Sequence, residues 1–249
     1  MMNRHASDDL ADRVLYRDAQ ILVIDKPAGV AVHRGPGGGP NLEAALDLLR
    51  FGYKERPELG HRLDRDTSGC LALGRNRKGL ARLGALFREG RAEKTYWAVV
   101  AGAPPEDQGR IDRPLRKVTR KEGWHVAVDP KGQAAATSWQ VLGRGEGMCW
   151  VEFRPESGRT HQIRVHAAAL GCPVLGDRQY GRPGEVWSRG PLMLHARRLV
   201  LPLREGIPPV DVTAPPPAHM RSALKACGWN QMNTTTENTK TTEAHGEKG

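Results

Sequence analysis

The sequence predicts an α+β fold with a mixed, largely antiparallel sheet and flanking helices. Apolar runs of strand length, separated by Gly- and Pro-rich turns, fill the middle of the 249-residue chain. Only a few segments place apolar residues at helical spacing, and these segments lie far apart. A strand-rich chain with a few separated helices favours an antiparallel sheet.

The first half of the chain is predicted to hold four strands and two helices. Asn41 is a typical N-cap, because its side-chain oxygen can accept a backbone N–H of the following turn. Gly90 is a typical helix end, because glycine readily adopts a positive φ. The predicted elements are strands at 21–25 and 30–33, a helix at 42–50, a strand at 70–74, a helix at 78–89 and a strand at 94–100.

The second half is predicted to begin with a hairpin. Residues 124–128 and 135–142 flank the turn-forming residues DPKGQ. A helix over 161–170 is expected to end at Gly171, with Pro173 just beyond it. The remaining predicted elements are strands at 148–153 and 192–201 and, after three consecutive prolines, a short helix at 220–226.

One folded domain, residues 21–227, is predicted between an N-terminal segment, residues 1–20, and a polar tail, residues 228–249. The domain contains every predicted strand and helix. From residue 230 onward the chain has six threonines, and Met232 is its one sizeable apolar side chain. Such a segment cannot bury enough apolar surface to offset the entropy of ordering, so we expect the tail to be disordered.

The charge of the chain favours a polyanionic partner. The sequence has 38 Lys and Arg against 28 Asp and Glu, a net charge of +10. The tail holds two basic and three acidic residues, so residues 1–227 carry +11. Residues 75–94 contain seven Lys or Arg, and residues 110–121 contain six. Phosphates that such residues neutralise release counterions, so nucleic acid is the favoured partner.

The chain has no sequence feature of a membrane or secreted protein. No apolar run reaches the roughly 18 residues of a transmembrane helix, and the polar N-terminus has no signal-like apolar region. The four cysteines lie far apart without a CxxC pair, so neither a disulfide framework nor a zinc knuckle is expected. These features predict a cytoplasmic protein with no membrane partner.

No cofactor or metal is expected either. The glycine-rich residues 34–40 (RGPGGGP) lack a GK[ST] ending, and their prolines remove N–H donors, so a flexible loop is favoured over a phosphate cradle. His161 and His166 are five residues apart, or about 140° around a helix. No carboxylate lies between them, so a metal site is not expected.

The densest polar cluster is HRLDRDTSG, residues 61–69, directly before a predicted strand. It fits a solvated turn whose Asp, Thr and Ser side chains bond to the nearby backbone. It also fits a reactive carboxylate that neighbouring arginines keep ionised. Asp64 and Asp66 fit, more weakly, the acid pair of a glycoside hydrolase, since residues i and i+2 of an extended chain point the same way.

A second cluster, SGRTHQIRVH at 157–166, lies at the start of a predicted helix. His166 shares the apolar face of that helix with Ile163, so we expect a buried, hydrogen-bonded histidine. Arg164 and His161 lie on the opposite face. Arg164 is then displayed toward whatever faces the helix, or is simply a surface cation.

The two clusters resemble motifs of the RluA-type RNA pseudouridine synthases. HRLDRDTSG is similar to the family's motif around its catalytic aspartate, and the pair HRLD and GRTHQIR is specific. The resemblance covers roughly residues 20–222. It continues in DKPAGVAVH (25–33), EKTYWAVVAG (93–102), GCPVLGDRQYG (171–181) and LMLHARRLVLP (192–202).

The resemblance implies a pseudouridine synthase fold with a central catalytic cleft and no cofactor or metal. It implies that Asp64 is the catalytic carboxylate, that Arg164 pairs with it and keeps it ionised, and that Tyr96 lies against the target base. The other implied contacts to the substrate are Arg62 beside the vacated base position, Leu194 under the base, and His61, Thr67 and His161. Many relatives add an S4 RNA-binding domain at the N-terminus. Too few residues precede Ile21 for one, so the catalytic domain itself is expected to recruit the RNA.

We therefore expect an isomerase that converts specific uridines to pseudouridine in structured ribosomal or transfer RNA and acts as a monomer. The reaction breaks the N1–C1′ bond, turns the base and joins C5 to C1′, so it needs no external reagent. Three alternatives stay open: a non-catalytic RNA-binding module, a glycoside hydrolase that uses Asp64 and Asp66, and a metal-dependent nuclease. The basic body disfavours the hydrolase, and the spacing of His161 and His166 disfavours the nuclease.

Overall fold

The computed structural model describes residues 10–34, 39, 41–120, 123–181 and 188–230. Its strands are β1 (Val14–Arg17), β2 (Ile21–Lys26), β3 (Glu58–Leu59), β4 (Ser68–Gly74), β5 (Glu93–Ala101), β6 (Gln108–Asp112), β7 (Leu115–Arg120), β8 (Gly123–Val128), β9 (Ala136–Gly145), β10 (Met148–Pro155), β11 (Leu194–Leu201) and β12 (Val210–Thr213). Its helices are α1 (Arg77–Arg88), α2 (Gln162–Ala169) and α3 (Ala218–Ala226), with 3-10 helices at Ala11–Arg13 and Leu42–Leu49.

Ten of these strands form one mixed sheet, and the predicted α+β fold is confirmed. The strand order is β1-β2-β4-β11-β5-β10-β9-β6, with β3 beside β4 and β12 beside β11. Among the described strands, only β4 and β11 run parallel, where His195 lies opposite Ser68. The strands β7 and β8 form a separate antiparallel pair that stands outside the large sheet.

Helices cover both faces of the large sheet, and on one face the cover consists of two separate helices. On that face the 3-10 helix Leu42–Leu49 packs over β2 and β4, and α2 packs over β5 and β10. Tyr96 contacts both of these apolar clusters, so it lies between them. Helices α1 and α3 cover the opposite face. A strand buried on both faces reads as an unbroken apolar run, as residues 21–24 do.

The cap at Asn41 is confirmed, but the elements around it differ from the prediction. The side-chain oxygen of Asn41 accepts the backbone N–H of Ala44 at 3.1 Å. The segment that follows is a 3-10 helix rather than an α-helix. The predicted strand at 30–33 is wrong, because this segment makes a single bridge between Ala31 and Asn41.

The predicted hairpin of 124–128 with 135–142 is also wrong. β8 pairs with β7. The sequence of β7, LRKVTR, is rich in charged residues because one side of this pair faces solvent, so it resembles a charge run rather than a strand. β9 pairs instead with β10 across a two-residue turn, and with β6 on its other edge. Gly147, at φ +66°, is the second residue of that turn and was the overlooked sequence feature.

The folded part extends beyond residues 21–227 at both ends. β1 pairs with β2, and Leu10 ahead of it is buried in the core. At the other end Trp229 is buried against α3. The predicted disorder at 231–249 and most of the glycine-rich segment 34–40 lie outside the described residues. In the part of the chain that is described, no helix is long and apolar enough to cross a membrane.

Candidate active site

Asp64 lies in a tight turn immediately before β4. The backbone N–H of Thr67 donates to the Asp64 carbonyl at 3.2 Å, which closes the turn. Asp66 is half exposed and its carboxylate pairs with the guanidinium of Arg65 at 3.0 Å. The idea of an Asp64–Asp66 acid pair assumed an extended backbone, and the chain does not adopt one here.

A buried cation, Lys26, supports this turn from behind. Its side chain is fully buried at the end of β2. Its Nζ donates to the carbonyl oxygens of Pro27, Val30 and Arg65 at 2.7, 2.8 and 3.0 Å. Burial lowers the pKa of Lys26 to about 8, and the nearby aspartates limit the shift. The sequence places Lys26 only in a turn and does not reveal this anchoring role.

A close approach of two strands fixes the Asp64 turn relative to Leu194. Gly69 has φ +106°, and a Cβ there would lie 2.2 Å from the carbonyl oxygen of Ala196. One residue earlier, the hydroxyl of Ser68 and Nδ1 of His195 are 2.9 Å apart and buried. These contacts pin the start of β4 to the start of β11, where Leu194 lies.

Asp64 opens into a cavity of about 350 Å³. All eight site residues expected from the sequence line it, although they come from four separate segments of the chain. They are His61, Arg62, Asp64, Thr67, Tyr96, His161, Arg164 and Leu194. A second hollow of about 820 Å³ adjoins the first and shares Asp64, His161 and Arg164 with it. Asp64 therefore stands where the two hollows meet.

Tyr96 and Leu194 form an apolar wall of the cavity. They lie on the same face of the neighbouring strands β5 and β11, where Tyr96 pairs with Ala196 and Leu194 with Ala98. Leu194 is buried, and Tyr96 presents its ring between the two apolar clusters of this face. Burial raises the pKa of Tyr96 far above its ordinary value, so its hydroxyl stays neutral. A flat apolar surface of this kind suits a stacked base.

Arg164 makes its main ion pair with Asp177 rather than with Asp64. Its Nε and Nη2 donate to the two carboxylate oxygens of Asp177 at 2.7 and 2.8 Å. Its Nη1 approaches Asp64 Oδ2 at 3.6 Å. The Asp177 side chain is fully buried and also accepts the backbone N–H groups of Gln179 and Tyr180. The expected contact to Asp64 is therefore present, but a second carboxylate holds Arg164 in place.

His161 is the second group that faces Asp64. Its Nε2 lies 3.7 Å from Asp64 Oδ2, and its Nδ1 lies 2.7 Å from the hydroxyl of Tyr180. Its ring stacks on Trp124 of β8 at a centroid distance of 5.1 Å. Its backbone has φ +54°, which is uncommon for a residue with a side chain. Burial lowers the pKa of His161, so the ring is neutral near pH 7.

His61 lines the cavity but already has a structural partner. Its Nε2 accepts the backbone N–H of Ala72 at 2.9 Å, and its ring stacks on Phe87 at 4.2 Å. Burial lowers the pKa of His61 to about 3, so the ring is neutral. Thr67 is buried beside Asp64, whereas Arg62 is exposed at the rim.

Lys94 also lines the cavity, although no feature of the sequence predicted it there. It lies two residues before Tyr96 on β5, so both side chains point to the same face. Its Nζ donates to the carbonyl oxygen of Ser157 at 3.0 Å, and burial lowers its pKa. Arg88 and Arg159 also line the cavity, so several cations surround its mouth.

His166 confirms the predicted division of the helix faces. It is buried between Thr137 Oγ1, 2.9 Å from its Nδ1, and the Arg113 carbonyl oxygen, 3.0 Å from its Nε2. It therefore points away from His161 and the cavity. Within the described residues, no group of three or more His, Cys, Asp or Glu side chains could hold a metal ion.

Comparison with known proteins identifies the family. Residues 20–169 match the family described as RNA pseudouridylate synthase. The chain belongs to this family. A relative described as an RNA pseudouridine synthase of Zymomonas mobilis is 47% identical over 211 residues, which cover 84% of this chain and 95% of that protein. Ribosomal large subunit pseudouridine synthase C of Buchnera aphidicola is 38% identical over 182 residues, 71% of this chain and 56% of the relative.

Solved structures of pseudouridylate synthases have the same fold. Human RNA pseudouridylate synthase domain containing 4 has a TM-score of 0.75 at 26% identity, with 90% of this chain and 95% of that one covered. Human RNA pseudouridylate synthase domain containing 1 has a TM-score of 0.72 at 28% identity and covers 91% of this chain. Family and fold thus agree on an RNA pseudouridine synthase, an isomerase, as the resemblance implied.

Proposed function

We propose that this pseudouridine synthase isomerises specific uridines in structured RNA, ribosomal or transfer, with Asp64 as its catalytic carboxylate. The observation that carries the proposal is the position of Asp64. Its carboxylate opens into a cavity walled by Tyr96 and Leu194, and the side chains of Arg164 and His161 face it. The Buchnera relative is named for the large ribosomal subunit, which favours ribosomal RNA.

The chemistry of the reaction fits these residues. A uridine must leave its stack and enter a pocket, at a cost of a few kcal/mol, before its glycosidic bond can break. The ring of Tyr96 and the side chain of Leu194 supply the surface for the extruded base. The carboxylate of Asp64 acts on the sugar or the base as the N1–C1′ bond breaks. The walls then hold the detached uracil while it turns and C5 joins C1′; C5 loses its proton and N1 gains one, so the atoms balance without an external reagent.

The test of the catalytic role is Asp64→Asn. Asn has nearly the same shape but no charge to act as a nucleophile or a base. We expect no pseudouridine from the purified variant on a uridine-containing substrate RNA, with RNA affinity within several-fold of the wild type. Asp66→Asn is the matched control, because it makes the same change on an exposed carboxylate two residues away. If Asp66→Asn abolished pseudouridine formation and Asp64→Asn did not, the assignment of Asp64 as the catalytic carboxylate would be overturned.

The RNA-binding surface is proposed to continue from the cavity onto the pair of β7 and β8. Arg62, Arg88 and Arg159 line the cavity. On the pair, Lys117 Nζ lies 4.4 Å from the ring centroid of Trp124, which is 42% exposed. An exposed aromatic ring beside a cation suits contact with a base and its phosphate.

The salt dependence of binding tests this surface. If Lys117 meets a phosphate, Lys117→Ala weakens RNA binding and lowers the slope of log K against log salt by about one. Lys225→Ala is the control, because Lys225 is an exposed cation on α3, across the sheet from the cleft. If the two variants lost RNA affinity and salt dependence equally, the proposed RNA-binding surface would be refuted.

Mapping pseudouridine identifies the target. Total RNA from cells with and without the gene is compared, and the sites lost on deletion give the substrate and its positions. An unchanged map would count against the proposed activity. We further propose that the enzyme acts as a monomer in the cytoplasm, although some relatives are named as mitochondrial. Sedimentation of the free enzyme and fractionation of cells test these two points.

A further inference from the structure

Arg164 and His161 approach the same oxygen of Asp64. Nη1 of Arg164 lies 3.6 Å from Oδ2, and Nε2 of His161 lies 3.7 Å from it. Both distances exceed ordinary hydrogen-bond length, so these groups orient the carboxylate by longer-range electrostatic attraction rather than by a short bond. Because both groups lie on the side of Oδ2, the other carboxylate oxygen, Oδ1, is left to contact the substrate.

The proton positions on His161 follow from its neighbours. The backbone N–H of Val126 in β8 donates to the Tyr180 hydroxyl oxygen at 3.0 Å. The oxygen already accepts one bond, which favours donation of the hydroxyl hydrogen to His161 Nδ1, 2.7 Å away. A neutral ring that accepts at Nδ1 carries its one proton on Nε2, and Nε2 faces Asp64.

We propose that Tyr180 is a positioning residue that fixes the tautomer of His161, so that a neutral imidazole presents its Nε2–H to Asp64 Oδ2. This inference rests on the proposed catalytic role of Asp64. The opposite tautomer would turn the lone pair of Nε2 toward the carboxylate and repel it. The ring of Trp124 stacks on His161 with an interplanar angle of 22°, which holds the plane of the imidazole.

Burial is the main cause that lowers the pKa of His161 and keeps its ring neutral. Asp64 and Asp177 favour a protonated ring, whereas burial, Arg164 and Arg62 oppose one. Trp124 of β8 stacks on the ring, and Lys117 of β7 lies over the ring of Trp124. A neutral, oriented N–H stabilises the carboxylate less than a second full cation would. The Asp64 carboxylate is therefore oriented without forming a tight ion pair, which would lower its reactivity.

The tautomer can be observed in the free protein by nitrogen NMR of histidine-labelled enzyme. The signal of His161, one of nine histidines, is identified by its loss in His161→Gln. We expect a protonated Nε2 and an unprotonated Nδ1 near pH 7. A proton on Nδ1, or a fully protonated ring, at this pH would overturn the proposal, and this measurement needs no variant at position 180.

Activity supplies the second measurement. Tyr180→Phe removes only the hydroxyl, so we expect the signal of Nδ1 to shift toward a mixed tautomer. We expect kcat to fall by about tenfold, the equivalent of one hydrogen bond of about 1.4 kcal/mol, with KM for RNA within twofold. Tyr53→Phe is the matched control, because the Tyr53 hydroxyl donates to the Ala19 carbonyl at 2.9 Å away from the cleft. Equal behaviour of the two variants would overturn the proposal.

Amide substitutions at position 161 sharpen the test. The side-chain amide of Gln reaches the position of Nε2, whereas that of Asn reaches the position of Nδ1. His161→Gln should therefore keep more turnover than His161→Asn, and the reverse order would contradict the proposed direction of the N–H. An active Asp64→Asn would refute the proposed function but leave the NMR result intact. An inactive Asp64→Asn with an unaffected Tyr180→Phe would refute only the present inference.

Discussion

Two buried charges support the two sides of the cleft, and they do so differently. Lys26 lies behind the Asp64 turn and donates to three backbone carbonyl oxygens. Asp177 lies beside α2 and accepts two backbone N–H groups together with two N–H groups of Arg164. The cation therefore shapes only the backbone, whereas the anion also holds a charged side chain that faces Asp64.

The difference predicts different consequences when each charge is removed. When a buried ion loses its charged partner, nothing offsets the free-energy cost of desolvating a full charge. When backbone carbonyls lose a donor, the destabilisation is the smaller cost of unsatisfied polar groups. The side of the cleft that carries Arg164 should therefore be the more sensitive of the two to substitution of its buried charge.

Asp177→Ala should have the largest effect. It leaves the buried guanidinium of Arg164 without its main partner, so we expect the free energy of unfolding to fall by about 3–5 kcal/mol. We also expect turnover to be lost, because Arg164 is then free to bind Asp64 directly. Urea unfolding and single-turnover pseudouridine formation measure the two effects. A double variant, Asp177→Leu with Arg164→Met, should regain stability but not activity.

An exposed pair provides the control for this prediction. Asp211 and Arg198 pair between β12 and β11, and both side chains are more than 40% exposed. Asp211→Ala should change the stability and turnover little, because exposed ion pairs contribute little. A loss as large as that of Asp177→Ala would mean that burial is not the cause of the difference.

Lys26→Met should have a smaller effect on stability. Three carbonyl oxygens lose their donor, so we expect a loss of about 1–3 kcal/mol at pH 7, with lower turnover because the Asp64 turn relaxes. The lowered pKa of Lys26 also makes the stability of the protein depend on pH in alkaline solution. Between about pH 8 and the ordinary value of 10.5, the unfolded chain binds a proton that the folded one has released.

Unfolding therefore takes up a proton in this alkaline range, and the stability contributed by Lys26 rises with pH. The gap in unfolding free energy between wild type and Lys26→Met should widen between pH 8 and 10. The measurement is urea unfolding of both proteins across this range. A gap that stays constant or narrows would mean that the pKa of Lys26 in the folded protein is not lowered, contrary to the effect expected of its burial.

Local patterns were enough to predict the placement of Arg164 but not the two buried charges, Lys26 and Asp177, that support the cleft. The alternation of apolar residues indicated most strands, and the wheel of α2 placed His166 in the core and Arg164 opposite it. Asp177 and Tyr180 lie in the segment GCPVLGDRQYG, which the sequence marks only as part of a resemblance. Their partners, Arg164 and Val126, are 13 and 54 residues away. Distant pairings of this kind depend on the packed fold and leave no local pattern.

The pairing of β7 with β8 was missed for a related reason. The basic residues of 110–121 indicated a polyanionic partner, and three of them, Arg116, Lys117 and Arg120, lie on the strand β7. Among the side chains of this pair whose burial is described, only Leu115 and Val126 are buried, and they pack against Val165 of α2. Two anchoring residues are too few for a strand pattern to stand out from the charges around them.

The histidines on the two sides give the smallest predicted effect. His161 faces Asp64, whereas His61 supports the Asp64 side through a neutral ring that accepts the N–H of Ala72. The pKa of His61 is about 3 in the folded protein, against an ordinary value of 6.5. Between these values the unfolded chain binds a proton that the folded one does not, so stability falls as the pH falls. The slope contributed is at most about 1.4 kcal/mol per pH unit.

His61→Gln separates this proton from the hydrogen bond, because Oε1 of Gln can accept the N–H of Ala72 but does not titrate. We expect near wild-type turnover at pH 7, and a shallower loss of stability between pH 6 and 4, measured by urea unfolding. The wild type is measured over the same pH range as the reference. If His61→Gln kept the wild-type slope, another group would be responsible for the acid sensitivity. The neutral ring of His61 would then contribute only the hydrogen bond that supports its side of the cleft.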